Sequence, residues 1–165
     1  MQLVGLFRFC GNLFQNIKLT RIDFYYDVKD TFLFASRITR KLYYDNVVTH
    51  EHPLVIRCKN QPQCDEFTES VHHFSERDFI PLVNFSDKNA KFSPIILLTQ
   101  SEIPFWADDI VVLLNLDAKI EMTFSSYSRV IEIVDQSEVN RQKGREKYKF
   151  YKERGYEVFN HKVDK

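Results

Sequence analysis

The sequence has 165 residues, of which 44% are hydrophobic and 28% charged, and this composition excludes a disordered, collagen-like or coiled-coil chain. Its length fits a single domain over residues 1–165. Lys plus Arg and Asp plus Glu each number 23, so the net charge of zero gives no overall attraction to a polyanion. Aromatic residues are the unusual feature, with 15 Phe, 8 Tyr and 1 Trp against 4 Gly; they indicate an aromatic core or an AT-rich genome.

The first half of the chain predicts two helices and one strand. Asp30 is a typical N-cap for a helix over 31–44, where apolar residues recur every three or four positions. Residues 53–57 predict a strand that begins at a proline, and 59–63 predict a loop. Residues 65–79 keep roughly helical spacing of apolar side chains and predict a short helix.

The second half of the chain is more regular. Strands are predicted over residues 94–98, 109–114, 118–124, 129–135 and 156–159, and a helix over 138–154 that ends at Gly155. Residues 118–124 alternate apolar and polar side chains, which is typical of a half-exposed strand. This order of elements predicts an α/β fold with a central mixed β-sheet flanked by helices.

No sign of export or membrane insertion is found in the sequence. It has no run of about 18 apolar residues, and Arg8 interrupts the apolar opening, which lacks a basic leader. The three cysteines Cys10, Cys58 and Cys64 are too sparse for a disulfide framework. We therefore expect an intracellular, cytoplasmic protein with no membrane partner.

The strand over 129–135 contains a carboxylate within an apolar run. Its alternation places Val130, Glu132 and Val134 on one face, where a charged Glu132 is costly unless it is paired or binds a metal. Asp109, at the start of the preceding apolar run, could converge with Glu132 across neighbouring strands. Two such carboxylates can hold Mg²⁺ or Mn²⁺ for phosphodiester hydrolysis. The alternative is that Glu132 pairs with a basic residue of the next helix and that Asp109 belongs to a turn.

The helix over 138–154 is the clearest electrostatic feature. Residues 141–154 include seven basic and two acidic side chains. Helical spacing forms one stripe of cations, suited to phosphates, from Arg141, Arg145, Lys149 and Lys152, and a second from Lys143, Lys147 and Arg154. Between them, Gly144, Tyr148 and Tyr151 form a seam that can pack on a sheet. The alternative is a solvated charged face without a nucleic-acid partner.

Cysteine and histidine residues cluster in the first half of the chain. Cys58 and Cys64 are followed by His72 and His73, but five residues separate the cysteines, whereas structural zinc sites favour two to four. The default interpretation is buried cysteine and surface histidine. A small zinc-stabilised interaction protein remains an alternative, although the spacing argues against zinc.

Several of these segments resemble the PD-(D/E)XK, or restriction-endonuclease-like, nuclease superfamily. They are residues 109–112, 130–133, the basic helix and 155–158. Residues 42–56 further resemble the endonuclease subunit of heteromeric cut-and-paste transposases. The resemblance covers about residues 33–160. It implies a restriction-endonuclease-like core in which Asp109 binds metal and Glu132 is the acidic residue of the second motif.

The chain departs from that family at its motif lysine. Val134 stands where the family's lysine belongs, two residues after Glu132, and valine cannot activate a water. Some members supply this lysine from the following helix, so Lys143 or Lys147 could replace it. In the upstream helix, where such endonucleases often carry a metal-binding glutamate, this sequence has Ala35 at the approximate position. Asp117 and Glu121 are alternative acids, because the register between the two motif strands is open.

The sequence thus predicts a magnesium-dependent endonuclease that acts on DNA, with Asp109, Glu132 and Lys147 as its catalytic residues. A second hypothesis keeps the fold without catalysis, as a module that binds nucleic acid or protein. The expected partner is DNA, with a protein partner or a homodimer as further possibilities. The size and composition of the chain suggest a phage or mobile element as its source.

Overall fold

The computed structural model describes residues 19–74, 79–102, 104, 106 and 112–163. These residues form a seven-stranded sheet with helices on both faces. In chain order the elements are β1 (Arg21–Val28), α1 (Thr31–Tyr44), β2 (Leu54–Arg57), α2 (Gln61–His73), β3 (Val83–Asn84), β4 (Ile95–Leu98), β5 (Val112–Asn115), β6 (Arg129–Asp135), α3 (Glu138–Glu153) and β7 (Val158–Lys162). Short 3₁₀ turns cover Ala90–Phe92 and Phe124–Ser126.

The sheet has the strand order β3-β4-β2-β5-β6-β1-β7, and all its paired strands run parallel. The predicted α/β class is confirmed, whereas the predicted mixed sheet is wrong. Parallel sheets are covered on both faces, so their strands are continuous apolar runs. Strands β2, β4 and β5 show this pattern, since nearly all their side chains are buried. The described residues do not show the restriction-endonuclease-like core expected over 33–160.

Two apolar layers hold the helices against the sheet. Helices α1 and α2 pack over β2, β4, β5 and β6 on one face, and α3 packs over β1, β6 and β7 on the other. The alternation of β6 divides its side chains as predicted, with Val130 and Val134 in the α3 layer and Ile131 in the α1 layer. In the described parts of the chain, no helix is long and apolar enough to cross a membrane.

Helix α1 begins and ends where the sequence predicts. The Asp30 side chain accepts a hydrogen bond from the Leu33 backbone N–H at 2.9 Å, which is the bond expected of an N-cap. Helix α2 begins earlier than predicted, within the expected loop, and ends earlier as well. Its N-cap is Asn60, which accepts from the Gln63 backbone N–H at 3.1 Å, and Pro62 lies in its first turn.

The alternating residues 118–124 do not form the predicted strand. Glu121, expected on the solvent side, is buried and Met122, expected on the apolar side, is 66% exposed. The buried carboxylate of Glu121 is held by Arg57, whose Nε lies 2.8 Å away. An ion pair with a distant strand therefore overrides the local alternation, and the segment forms turns instead.

Helix α3 follows the prediction closely. Gly144 lies against Val134 of β6, and a Cβ at Gly144 would lie 2.8 Å from a methyl carbon of that valine. Glycine is thus needed for the close packing of helix on sheet. The helix ends just before Gly155, whose φ of 80° is the left-handed conformation of a helix C-terminus.

Candidate functional site

The carboxyl ends of β1 and β6 are the natural place for a site in this topology. Strand β6 leads to α3 on one face, and β1 leads to α1 on the other, so the chain diverges between them. Ligands of open parallel sheets bind at such divergence points. A cleft of about 490 Å³ opens here. Its polar lining includes Lys29, Asp30, Lys59, Asn115, Asp117, Glu132, Asp135, Asn140, Lys143 and Lys147.

Glu132 lies at the base of this cleft and is 1% exposed. Lys147 Nζ lies 2.6 Å from Glu132 Oε2 and also donates to the Asp117 backbone carbonyl at 2.7 Å. Tyr151 and Asn115 donate to Oε1 at 2.9 and 3.0 Å. The structure therefore brings Glu132 and Lys147 together, in the ion pair with the following helix that was the alternative to metal binding.

The polar groups of this cluster hydrogen-bond to one another. Burial, followed by the nearby charge of Glu132, raises the pKa of the Tyr151 hydroxyl far above its usual range, so the hydroxyl stays protonated and donates. The side chain of Lys147 is 8% exposed. Both Glu132 oxygens already accept hydrogen bonds, which compensates the burial of the carboxylate.

The other acidic residues of the predicted site are placed differently. Asp109 lies outside the described residues, so its convergence with Glu132 stays a prediction. Asp117 Oδ2 is 3.7 Å from Arg57, and Glu121 accepts from Arg57 and from Ser101 at 2.8 and 3.1 Å. Burial opposes ionisation of Glu121, but hydrogen bonds from neighbouring groups outweigh it and lower the pKa of this carboxyl.

Magnesium or manganese binding at Glu132 also stays a prediction. Within the described residues, no group of three or more His, Cys, Asp and Glu side chains could hold a metal ion. A metal at Glu132 would have to displace Lys147 from Oε2. Val134 offers no ligand atom, since its side chain is a hydrocarbon, and it packs against Gly144.

The four cations predicted to contact nucleic acid are mostly paired with neighbouring acids. Arg141 lies 3.3 Å from Asp27, and the intrahelical pairs are Arg145 with Glu138 at 3.0 Å and Lys149 with Glu153 at 3.7 Å. Lys152 lies over the Tyr148 ring at 5.9 Å. The surplus charge of α3 is therefore smaller at the surface than the sequence suggests, and DNA contact by this helix stays a prediction.

The cysteines and histidines do not form the zinc site of the alternative hypothesis. Cys58 and Cys64 are fully buried and free, whereas His72 and His73 are exposed on α2. The hydrogen bond between the two thiols, together with burial, raises the pKa of Cys58 above its usual range. These cysteines belong to the apolar layer beneath α2.

Sequence reasoning missed a set of exposed apolar side chains around the ends of α1 and α2. This set, the aromatic surface, consists of Tyr44, Val47, Phe74, Phe79 and Phe92, which are 50%, 42%, 41%, 77% and 66% exposed. The guanidinium of Arg40 joins two of them, at 5.5 Å from the Tyr44 ring and 4.6 Å from the Phe74 ring.

A groove of about 530 Å³ runs between Tyr44 and Phe92, and Pro81 and Pro94 form part of its wall. Phe79 stacks on the ring of His72, with ring centroids 6.0 Å apart. The high aromatic content was the signal for this surface, but the five side chains are dispersed over residues 44–92. Only the fold brings them to one end of the sheet.

Comparison with known proteins identifies the family. The family model of the DNA polymerase III chi subunit, HolC, matches residues 19–159, which run from before β1 to the first residues of β7. The chain belongs to the DNA polymerase III chi subunit family. A chi subunit of DNA polymerase III from Pseudomonas aeruginosa is 28% identical over 149 residues, covering 88% of this chain and 98% of the relative.

Membership of the chi family overturns the nuclease interpretation. The resemblance to PD-(D/E)XK nucleases and transposase endonucleases was wrong, because the matched family is a polymerase subunit. The proposed endonuclease and hydrolase activities fall with it, as do the degenerate-nuclease and zinc-protein alternatives. The suggested phage or mobile-element source stays a prediction. Short motifs misled because an acid in an apolar strand followed by a basic helix also describes the internal pair of Glu132 and Lys147.

Proposed function

We propose that this protein is an accessory subunit of a DNA polymerase III and works by binding another protein subunit. The match to the chi family over residues 19–159 carries the proposal. The near-complete coverage of the Pseudomonas aeruginosa relative supports it. A polymerase subunit acts where DNA is copied, so the proposal keeps the intracellular, cytoplasmic location predicted from the sequence.

The aromatic surface is our candidate for the contact with that partner. Large contiguous apolar patches are uncommon on monomers and mark interaction sites. Aromatic side chains are enriched in the centres of interfaces, where they contribute much of the binding energy. Phe79 and Phe92 expose more than half of their surface, and the groove beside Phe92 offers a concave place for an apolar segment.

The surroundings of the aromatic surface indicate the chemistry of the partner. Arg40 lies over Tyr44 and Phe74, and Lys91 lies 4.9 Å from the Phe92 ring. A partner segment with apolar residues for the groove and a carboxylate at the rim would fit both features. We propose an apolar segment of another DNA polymerase III subunit as the occupant.

Co-expression with the other DNA polymerase III subunits of the same organism, followed by size-exclusion chromatography, tests the proposal. The chain should elute in a stoichiometric complex with one of these subunits. Phe92→Ser should remove it from that complex. Met122→Ser is the matched control, since both side chains are 66% exposed and Met122 lies outside the aromatic surface.

Three results would contradict the proposed function or the proposed contact. Elution of the chain separately from every polymerase subunit would remove the proposed function. Equal complex formation by the Phe92 and Met122 variants would keep the function but move the contact away from the aromatic surface. Elution of the chain alone at twice its mass would identify a homodimer instead.

A further inference from the structure

A second surface lies on the side of the sheet that α1 and α2 cover only in part. These helices pack over β2, β4, β5 and β6, while the same face of β1 and β7 keeps partly exposed side chains. Arg21, Arg129 and His161 meet there, with side-chain exposures of 50%, 29% and 35%. We call this group, with Asp23 and Phe159, the open sheet face.

Asp23 is the centre of the open sheet face and is fully buried. Arg21 donates to both its oxygens, at 2.9 and 3.0 Å, and Arg129 Nε donates to Oδ2 at 2.6 Å. His161 Nε2 lies 2.6 Å from Oδ1. Burial opposes the charge of Asp23, but the hydrogen bonds from Arg21, His161 and Arg129 outweigh it and lower its pKa.

This arrangement holds more positive charge than one buried carboxylate requires. A single bidentate arginine would already balance the charge of Asp23. Each guanidinium carries five N–H donors, and Arg21 and Arg129 spend only part of them on Asp23 and on the Tyr25 hydroxyl, which is 3.4 Å from Arg129. The charge of Glu157 also acts on Arg21. The carboxylate thus fixes two guanidinium groups side by side, and within the described part of the chain some of their N–H donors stay available for a ligand.

Aromatic rings lie next to these guanidinium donors. The Arg21 guanidinium lies 4.2 Å from the centre of the Phe159 ring, and the His161 and Tyr25 rings stack at 4.6 Å. Unstacked nucleic-acid bases pack on aromatic rings and on guanidinium planes, and arginine donors bind the phosphates between them. A duplex keeps its bases stacked internally, so only a single strand can use both features.

We propose that the open sheet face binds single-stranded DNA, with Arg21 and Arg129 on phosphates and bases stacked beside Phe159 and His161. This is a binding function without cleavage. It uses different residues from the aromatic surface, so the two proposals can fail separately.

Fluorescence anisotropy of a labelled oligothymidylate, titrated with the full chain over a range of salt concentrations, tests this proposal. Arg21→Gln should reduce the slope of log affinity against log salt by about 0.7, the value for one lost phosphate contact on a single strand. Lys88→Gln removes the same charge at an exposed position near the opposite edge of the sheet and should leave the slope unchanged.

Two further variants test the stacking and the charge. Phe159→Leu should weaken binding roughly fivefold or more without changing the salt slope, because stacking does not release counterions. Glu157→Gln should strengthen binding, since it removes an acid that acts on Arg21. Thermal unfolding of each variant shows whether the fold is kept. If Arg21→Gln does not fold, the loss of affinity in Phe159→Leu decides the proposal.

Absence of salt-dependent binding by the wild type would overturn the proposal. Equal losses of affinity and of salt slope for Arg21→Gln and Lys88→Gln would also overturn it, because they would show that binding depends only on the overall charge. Tighter binding of duplex DNA would reject the stacking geometry. None of these results would affect complex formation with a polymerase subunit.

Discussion

Replacement of Lys147 by methionine tests whether the Glu132 cluster is a structural ion pair. Methionine keeps most of the apolar stem but removes the ammonium, which donates to Glu132 and to the Asp117 carbonyl. Glu132 is 1% exposed and, among the residues that the structure describes, would keep only the neutral donors Tyr151 and Asn115. A buried carboxylate would then lack a compensating charge, which is far costlier than the loss of a surface pair.

We expect Lys147→Met to lower the free energy of unfolding by about 3–5 kcal/mol. With a urea m-value of about 1–3 kcal/mol per molar, the unfolding midpoint should fall by about 2 M. Urea titration followed by circular dichroism measures this. The double variant Glu132→Gln with Lys147→Met should be more stable than the single variant by at least about 1 kcal/mol, because no charge is left unpaired.

Lys149→Met is the matched control on the same helix. Lys149 is 75% exposed and pairs with Glu153 at 3.7 Å, so its loss should cost less than about 1 kcal/mol. A loss for Lys147→Met in that same small range would refute the structural reading of the pair. Absence of rescue in the double variant would refute it as well, even if Lys147→Met failed to fold.

Two other substitutions probe the packing of α3 and the charge of Asp23. Gly144→Ala should lower the free energy of unfolding in urea by about 1 kcal/mol, because the new Cβ would meet Val134 at 2.8 Å. In a Val134→Ala background the same substitution should raise that free energy. A rise in both backgrounds would contradict the clash. The lowered pKa of Asp23 means that its carboxylate stabilises the fold above about pH 4 and that this stabilisation is lost as pH falls further. Asp23→Asn should therefore flatten the acid limb of the stability–pH profile, and an unchanged limb would contradict its role.

Local signals sufficed where they agreed with the tertiary environment. Helix α1 and strand β6 have their predicted bounds, because the Asp30 cap and the apolar alternation of β6 both match what the core requires. The seam of α3 was also predicted, since Gly144 and Tyr151 are buried against the sheet. Lys147 was named beside Glu132 only through the nuclease resemblance and together with Lys143, because helical spacing alone does not show which lysine is buried against Glu132.

Strand β1 was not predicted, although it lies between β6 and β7 in the sheet. Its sequence places Asp23 in the strand interior, where a carboxylate argues against burial. The charge is balanced by Arg129 and His161, which are 106 and 138 residues away in the chain. Arg21 also donates to Asp23 from only two residues away, but the contributions of Arg129 and His161 cannot be read from a local window.

The function could not be derived from Glu132 and the basic helix, the most prominent charged features of the sequence. Glu132 and the basic helix resemble a metal-dependent site because buried charge is expensive and therefore conspicuous. The aromatic surface contains no buried charge to mark it. In the sequence, Phe79 and Phe92 look like core residues, and only the fold shows that they are exposed. Binding surfaces depend on which apolar residues stay uncovered, and that is a property of the whole fold.

Hydrogen–deuterium exchange of the chain, free and in complex with its DNA polymerase III partner subunit, tests the central claim most directly. The account predicts slower exchange on complex formation in residues 43–50 and 90–94, which border the groove of the aromatic surface. Exchange in α3 should change little. Protection confined to other segments, or no protection with any polymerase subunit, would contradict the account.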